Sequence, residues 1–311
     1  MDRVRLGQSP VEVVPLGVGC WAWGDKRYWR YEVDLGPQDV VDGFAAALAA
    51  GLDFFDTAEA YGAGKSEQLL GWLVRQAPRP TVVATKYAPL VGRGGPAAIP
   101  RALEASLKRM RLPHVDLYQL HWADRDEAPI GPTMAAFAAT VHAGQARAVG
   151  VSNFRAGELR AAHAALAAHG VPLATNQVRY SLLDRTPETD GVLDACRELG
   201  VTLLAYSPLE QGVLGGRYSP DVRPAGLRGD AEWFAPERLA AAKPVLELLG
   251  SLAAAHEVEM AAIALAWLLA KPGVIPLPGA TRGAQVTANA RALSVTLSDG
   301  EIAALDAVKA D

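Results

Sequence analysis

Short apolar runs and longer amphipathic stretches take turns along the whole chain. The runs PLGVG (15–19), DFFDT (53–57), TVVATK (81–86), HVDLYQLH (114–121), ARAVGVSNF (146–154), LATNQVRY (173–180), VTLLAYSPL (201–209) and VIPLPGA (274–280) have the length and apolar continuity of buried strands. Between them lie segments with helical spacing: QDVVDGFAAALAAG with Gly51 as its C-cap, SEQLLGWLVRQ with Ser66 as its N-cap, IPRALEASLKRMRL, PTMAAFAATVHAG, RAGELRAAHAALAAHG, TPETDGVLDACRELG and VLELLGSLAAAH. Strictly alternating units of this kind cannot pair as neighbours without crossover helices, so they predict a parallel sheet. Eight of them predict an α/β fold closed as a (β/α)8 TIM barrel. Two segments break the rhythm. An N-terminal pair of short runs in VRLGQSPVEVV predicts a β-hairpin that plugs the barrel bottom. After the seventh strand, residues 210–238 form a Gly-, Pro- and Arg-rich connection of the length expected of a lid or binding loop. The C-terminal SDGEIAALDAVKAD reads as a capped helix.

Composition narrows the reading without changing it. A chain of 311 residues, half of them apolar and 21% charged, fits one barrel domain spanning residues 1–311. The formal net charge of −4 gives no basis for a nucleic-acid or anionic-membrane partner. AAIALAWLLAK is about half as long as a membrane span and reads as a core helix. Two cysteines in apolar surroundings and an N-terminus without a signal-peptide pattern predict a cytoplasmic, disulfide-free protein. Oligomeric state is not set by these features, and a monomer is compatible with them.

The candidate chemistry stands at consecutive strand ends. The second run ends in Asp56 and leads to Tyr61, the third ends in Lys86, and the fourth in His121. A phenol titrates near pH 10, so proton donation at neutral pH calls for a nearby fixed cation, which Lys86 supplies. Singly, each residue has a bland reading: a buried Asp–Lys ion pair, an ordinary loop tyrosine and an ordinary loop histidine. As an ordered set on the C-terminal face of a barrel, they predict catalysis. Further on, Ser152-Asn153 and Asn176-Gln177 offer amides and hydroxyls, and Tyr206 precedes Ser207-Pro208-Leu209. PGATRGAQVTAN reads as a helix start whose free N–H groups favour a phosphate. Trp21, Trp23, Tyr28, Trp29 and Tyr31 crowd the first strand-to-helix loop and predict an aromatic rim. GVGCWA is not followed by an opening helix, GKS lacks the first P-loop glycine because Glu59 holds that position, and no metal-ligand spacing occurs.

Asp56, Tyr61, Lys86 and His121, together with FDTAEAYGAGKSEQLLG, resemble the catalytic tetrad and signature of the aldo-keto reductases, and the resemblance covers nearly the whole chain. It implies an NADP-dependent oxidoreductase that reduces aldehydes or ketones to alcohols by hydride transfer. Tyr61 would be the general acid, Lys86 would lower its pKa, Asp56 would hold Lys86, and His121 would polarise the carbonyl. The resemblance further implies that NADPH meets Cys20, Trp21, Asp56, Ser152, Asn153, Gln177, Tyr206, Ser207, Pro208 and Leu209 around the nicotinamide. Gly212 and Arg217 would follow at the pyrophosphate, and Gly279, Thr281, Arg282, Gln285 and Asn289 at the adenosine end. Arg282 would pair with the 2′-phosphate and favour NADPH over NADH. Ala288 departs from the acidic residue often found at that place in the family. Trp21, Trp23 and Trp122 would wall the substrate. GCWAWGDKRYW, LYQLHW, RAVGVSNF and GVPLATNQVRYSLL are similar to the plant-type pyridoxal reductases of the family, which implies reduction of pyridoxal to pyridoxine. A broad aryl-aldehyde reductase is the alternative substrate reading. A different class is a nucleotide-binding regulatory protein like the family's channel-associated subunits, against which His121 argues. A sugar-phosphate isomerase on the same fold lacks a carboxylate base on the later strands.

Overall fold

The computed structural model describes residues 2–90, 95–123 and 129–310. Eight parallel strands follow one another in chain order around a barrel: β3 (Val18–Gly19), β4 (Phe54–Asp56), β5 (Val82–Tyr87), β6 (Val115–Leu120), β7 (Ala146–Ser152), β8 (Leu173–Arg179), β9 (Thr202–Tyr206) and β10 (Val274–Leu277). The expected (β/α)8 architecture is thus present. The seam between first and last strand closes through Gly17 N–H to the Pro276 carbonyl at 3.1 Å and Gly19 N–H to the Pro278 carbonyl at 3.0 Å. A side chain at position 17 would not fit, since a Cβ there would stand 2.4 Å from Leu277 Cδ2 and 2.9 Å from Phe54 Cδ1.

Alternation along each strand divides the core in two. Phe54, Val82, Ala84, Leu117, Ala148, Ala174, Leu204, Ile275 and Leu277 fill the barrel interior, while Phe55, Val83, Tyr118 and Val149 face the surrounding helices. The hairpin of β1 (Val4–Arg5) and β2 (Glu12–Val13) contributes Leu6, Val11 and Val13 to the interior cluster, which makes it a plug. Gly7 N–H bonds Thr202 Oγ1 at 2.8 Å and ties the plug to β9.

The helices follow the expected order: α1 (Pro37–Ala49), α2 (Lys65–Val74), α3 (Ala98–Met110), α4 (Ile130–His142), α5 (Ala156–Ala167), α6 (Thr186–Thr189), α7 (Val192–Leu199), α8 (Pro236–Ala241), α9 (Lys243–His256), α10 (Met260–Leu269), α11 (Gly283–Ala290) and α12 (Asp299–Ala307). Ser298 caps α12 as its sequence predicts, accepting from Glu301 N–H. The TPETDGVLDACRELG stretch is two helices rather than one, broken at Gly191 with φ 81°. Ser66 is not the N-cap of α2, because Gly64 takes that place; its hydroxyl donates to the Cys20 carbonyl and accepts from Thr57. The connection 210–238 is ordered around a small core of Val213, Phe234, Leu239 and Ala242. Among the described residues no single helix is long and apolar enough to cross a membrane.

Candidate active site

The strand ends open into a cavity of about 630 Å³. At its base β4 delivers Asp56 and β5 delivers Lys86, whose side chain is fully buried. Lys86 Nζ is ion-paired to Asp56 Oδ2, donates to the Thr57 carbonyl at 2.9 Å, and lies 3.3 Å from Tyr61 Oη. Burial acts to lower the lysine pKa, yet the Asp56 carboxylate and the Tyr61 hydroxyl outweigh it and the net shift is upward. Lys86 is therefore charged at neutral pH.

The other Asp56 oxygen is held from two further strands. Gln119 Nε2 donates to Oδ1 at 2.9 Å and Gln177 Nε2 at 3.0 Å. Sequence reasoning missed Gln119: it lies on β6, two residues before His121, and only the side-chain alternation that points it inward marks it. Four strands thus meet at one carboxylate.

Tyr61 sits just beyond β4, its ring 5.7 Å from that of His121 in an edge-on arrangement. Its pKa is raised, not lowered. Burial raises it most, and the opposing pull of Lys86 does not overcome burial in the protein alone. Lys86 thus pulls the phenol downward as expected, but burial outweighs it and Tyr61 stays protonated at neutral pH. His121 is pushed the other way, down to about 3, by burial and by the Lys86 charge, so its imidazole is neutral. Its Nδ1 is buried without a partner among the described residues.

Asp56, Tyr61 and His121 line the cavity and Lys86 stands behind them. The same walls gather Cys20, Trp21, Ser152, Asn153, Gln177, Tyr206, Ser207, Pro208, Leu209, Gly212, Arg217, Gly279, Thr281, Gln285 and Asn289. Asn153 adopts a left-handed φ of 59°, and its amide ties three strand ends together. Nδ2 donates to the His121 carbonyl at 3.0 Å, and Oδ1 accepts from Tyr206 Oη at 3.1 Å.

Several residues are placed otherwise than the sequence suggests. Trp23 is fully buried, packs on Phe55 and donates its Nε1–H to the Ala280 carbonyl at 3.0 Å, so it forms core and not substrate wall. Tyr31 is buried as well. Trp21, Trp29 and Trp122 make the aromatic wall, with Tyr28 stacked on Trp21. Arg282 does not line the cavity; it reaches α1, bonding the Asp34 carbonyl at 3.0 Å and pairing with Asp39 at 3.6 Å. Helix α11 begins at Gly283, four residues after Gly279, which instead bridges to Gly19 at the barrel seam. Gln285 Oε1 accepts from the Thr281 and Arg282 N–H groups and the Thr281 hydroxyl, so those donors are engaged within the chain. Unforeseen lining residues are Gln211, Tyr218 and Arg228 from the long connection and Glu259 ahead of α10. Among the described residues no group of His, Cys, Asp or Glu is placed to hold a metal ion.

The chain is similar to known proteins over almost its full length. It is 34% identical over 312 residues to a chloroplastic pyridoxal reductase of Arabidopsis thaliana, covering 96% of this chain and 84% of that one. It is 32% identical to an NADH-specific methylglyoxal reductase of Escherichia coli, covering 97% and 96%. A solved thermostable aldo-keto reductase, in complex with the inhibitor epalrestat, superposes with a TM-score of 0.78 at 32% identity, covering 98% and 99%. The model of the aldo/keto reductase family matches residues 15–310, and with Asp56, Lys86, Tyr61 and His121 gathered at one cavity the chain belongs to that family of oxidoreductases.

Proposed function

We propose that the protein reduces aldehydes and ketones to alcohols with NADPH, with Tyr61 as proton donor and pyridoxal within its substrate range. The observation that carries this is a protonated phenol 3.3 Å from a buried ammonium, at the base of a cavity that also holds a neutral imidazole. The walls fit an extended dinucleotide, with the ring of Tyr206 and the amides of Asn153 and Gln177 near the tetrad. Exposed Arg217 and residues 279–289, the end of the β10–α11 loop and most of α11, extend the walls beyond. Bound there, the nicotinamide supplies the hydride.

The remaining steps belong to this chain. His121, being neutral, donates a hydrogen bond to the carbonyl oxygen and makes its carbon more electrophilic. Tyr61 gives up its proton to the developing alkoxide, and the adjacent Lys86 charge stabilises the phenolate left behind. Asp56, fixed by Gln119 and Gln177, keeps Lys86 in place and charged. Trp21 and Trp122 flank this centre, their rings 6.2 Å from Tyr61 and 4.6 Å from His121, as a flat heteroaromatic aldehyde requires. The preference for NADPH rests on Arg282 turning from Asp39 toward a 2′-phosphate, and the NADH specificity of the Escherichia coli relative makes that point open to direct measurement. The free, buried Cys20 and Cys196 suit a reducing compartment, in keeping with a cytoplasmic placement.

The test is nicotinamide oxidation with pyridoxal and with 4-nitrobenzaldehyde. In Tyr61→Phe, kcat is expected to fall by about 10² to 10⁴ with the nucleotide Kd unchanged. Turnover within tenfold of the parent would remove Tyr61 from the proposed role.

A further inference from the structure

Besides exposed Arg217, the cavity wall holds a second arginine, Arg228, which sits among aromatic rings. Its Cζ lies 4.6 Å from the Trp29 ring, 5.3 Å from Phe234 and 5.4 Å from Tyr218. Nη2 donates to the Gln211 carbonyl at 2.7 Å and to Tyr218 Oη at 2.8 Å, and among the described residues no carboxylate pairs with it. Its Nε is buried without a hydrogen-bond partner, and so is Nε1 of Trp29 beside it. A desolvated N–H left unmade costs about 1–3 kcal/mol, and cation–π contact offsets only part of the missing counter-charge. Two adjacent donors in one wall therefore lack an acceptor.

Their position fixes what the acceptor belongs to. Trp29 meets Trp21 edge-on at 5.5 Å, and Trp21 lies 6.2 Å from Tyr61, so Trp21 stands between the two donors and the tetrad. We infer that Arg228 and Trp29 form a subsite for an anionic oxygen, carboxylate or phenolate, carried by a flat aromatic aldehyde on the side away from its carbonyl. This deepens the reductase reading of the same cavity and rests on it. The ring lies along Trp21, the carbonyl meets Tyr61 and His121, and the distal oxygen accepts from Arg228 Nε and Trp29 Nε1. Both donors are covered in the ligand-free wall, so the two side chains turn toward the cavity to meet the oxygen, and Arg228 gives up no hydrogen bond of Nε in doing so.

The experiment compares 4-carboxybenzaldehyde with 4-nitrobenzaldehyde, which are nearly isosteric and differ in distal charge. The ratio of their kcat/KM values is read in the parent, in Arg228→Met and in Trp29→Phe, so that intrinsic reactivity cancels. The ratio is expected to fall at least about tenfold in Arg228→Met and about threefold in Trp29→Phe, mainly through the KM of the carboxylate substrate. An unchanged ratio, or an equal loss for both aldehydes in both variants, overturns the subsite. Trp29→Phe keeps the ring under Arg228 and decides the matter if Arg228→Met does not fold. Binding of 4-(hydroxymethyl)benzoate against 4-nitrobenzyl alcohol, followed by tryptophan fluorescence, gives the same comparison without turnover. A preference for 4-(hydroxymethyl)benzoate lost in the variants supports the subsite even where no aldehyde is reduced, in which case only the reductase reading fails; no preference in the parent overturns the subsite itself.

Discussion

Two arcs of the same rim are built in opposite ways. Along β4, β5, β6 and β8 the working groups are buried and already bonded to one another: Lys86 to Asp56, and Asp56 to Gln119 and Gln177. Along the β10–α11 loop and the long connection, Arg217 and Arg282 are exposed, and Arg282 is bonded to its neighbour helix instead of facing the cavity. The first arc needs no rearrangement before reaction, because folding has fixed its donors and charges. The second must exchange protein partners for ligand partners on binding. Preorganised electrostatics and adjustable recognition thus sit on one barrel mouth, separated by the cavity.

Substitutions in the two arcs should differ in kind. Lys86→Met leaves the Asp56 carboxylate buried without its counter-ion, so we expect kcat to fall by about 10² to 10⁴ and stability by about 3–5 kcal/mol, read by turnover and by denaturant unfolding. Equal stability would mean that the ion pair is not held by the fold. Gln119→Leu removes one of three donors to Asp56 and should cost about 1.5–3 kcal/mol in the same unfolding experiment, with a smaller loss of kcat than Lys86→Met. Arg282→Ala belongs to the other arc: the NADPH over NADH preference in Kd should drop by about tenfold while unfolding is unchanged within about 1 kcal/mol, since exposed ion pairs contribute little. If Arg282→Ala moved stability more than nucleotide preference, the contrast between the arcs would collapse.

The smallest effect expected is on the pH profile. His121 titrates at about 3 and Tyr61 above its ordinary value, so neither changes charge between pH 5 and 8, and kcat/KM there should show no step that His121→Gln abolishes. The same depressed histidine has a stability consequence of definite sign. Between its ordinary value near 6.5 and about 3 the unfolded chain binds a proton that the folded chain refuses, so folding loses stability as pH falls through that window. His121→Gln should lessen this acid loss when unfolding is compared at pH 7 and pH 4.5.

Most of the architecture was legible because strand and helix periods alternate so regularly. The plug, the eight strands and the position of the long connection all follow from that pattern. The tetrad was legible because each member ends an apolar run or follows one. Trp23 and Trp21 could not be told apart, since two tryptophans two residues apart in a loop carry no period that says which faces the cavity. The buried position of Trp23 is decided by the Ala280 carbonyl, 257 residues away in sequence. The pairing of Arg282 with Asp39 and the place of Arg228 in the wall were not legible for the same reason: whether a loop arginine meets a ligand, a carboxylate or a ring depends on side chains from other loops. The upward shift of Tyr61 was hidden because the cost of burial has no signature in the order of residues.

The seam at Gly17 and Gly19 gives the barrel a preferred place to breathe. β3 has only two residues, and its neighbour carries Pro276 and Pro278, which have no N–H to return a bond. Amide protons there should exchange with solvent sooner than those of β5 to β8, because the cylinder unzips where its lacing is thinnest. Gly19, Cys20 and Gly279 also line the cavity, so a molecule lying across them would act as a stitch, and occupancy of the site would be felt as a slowing of exchange along the whole staved wall.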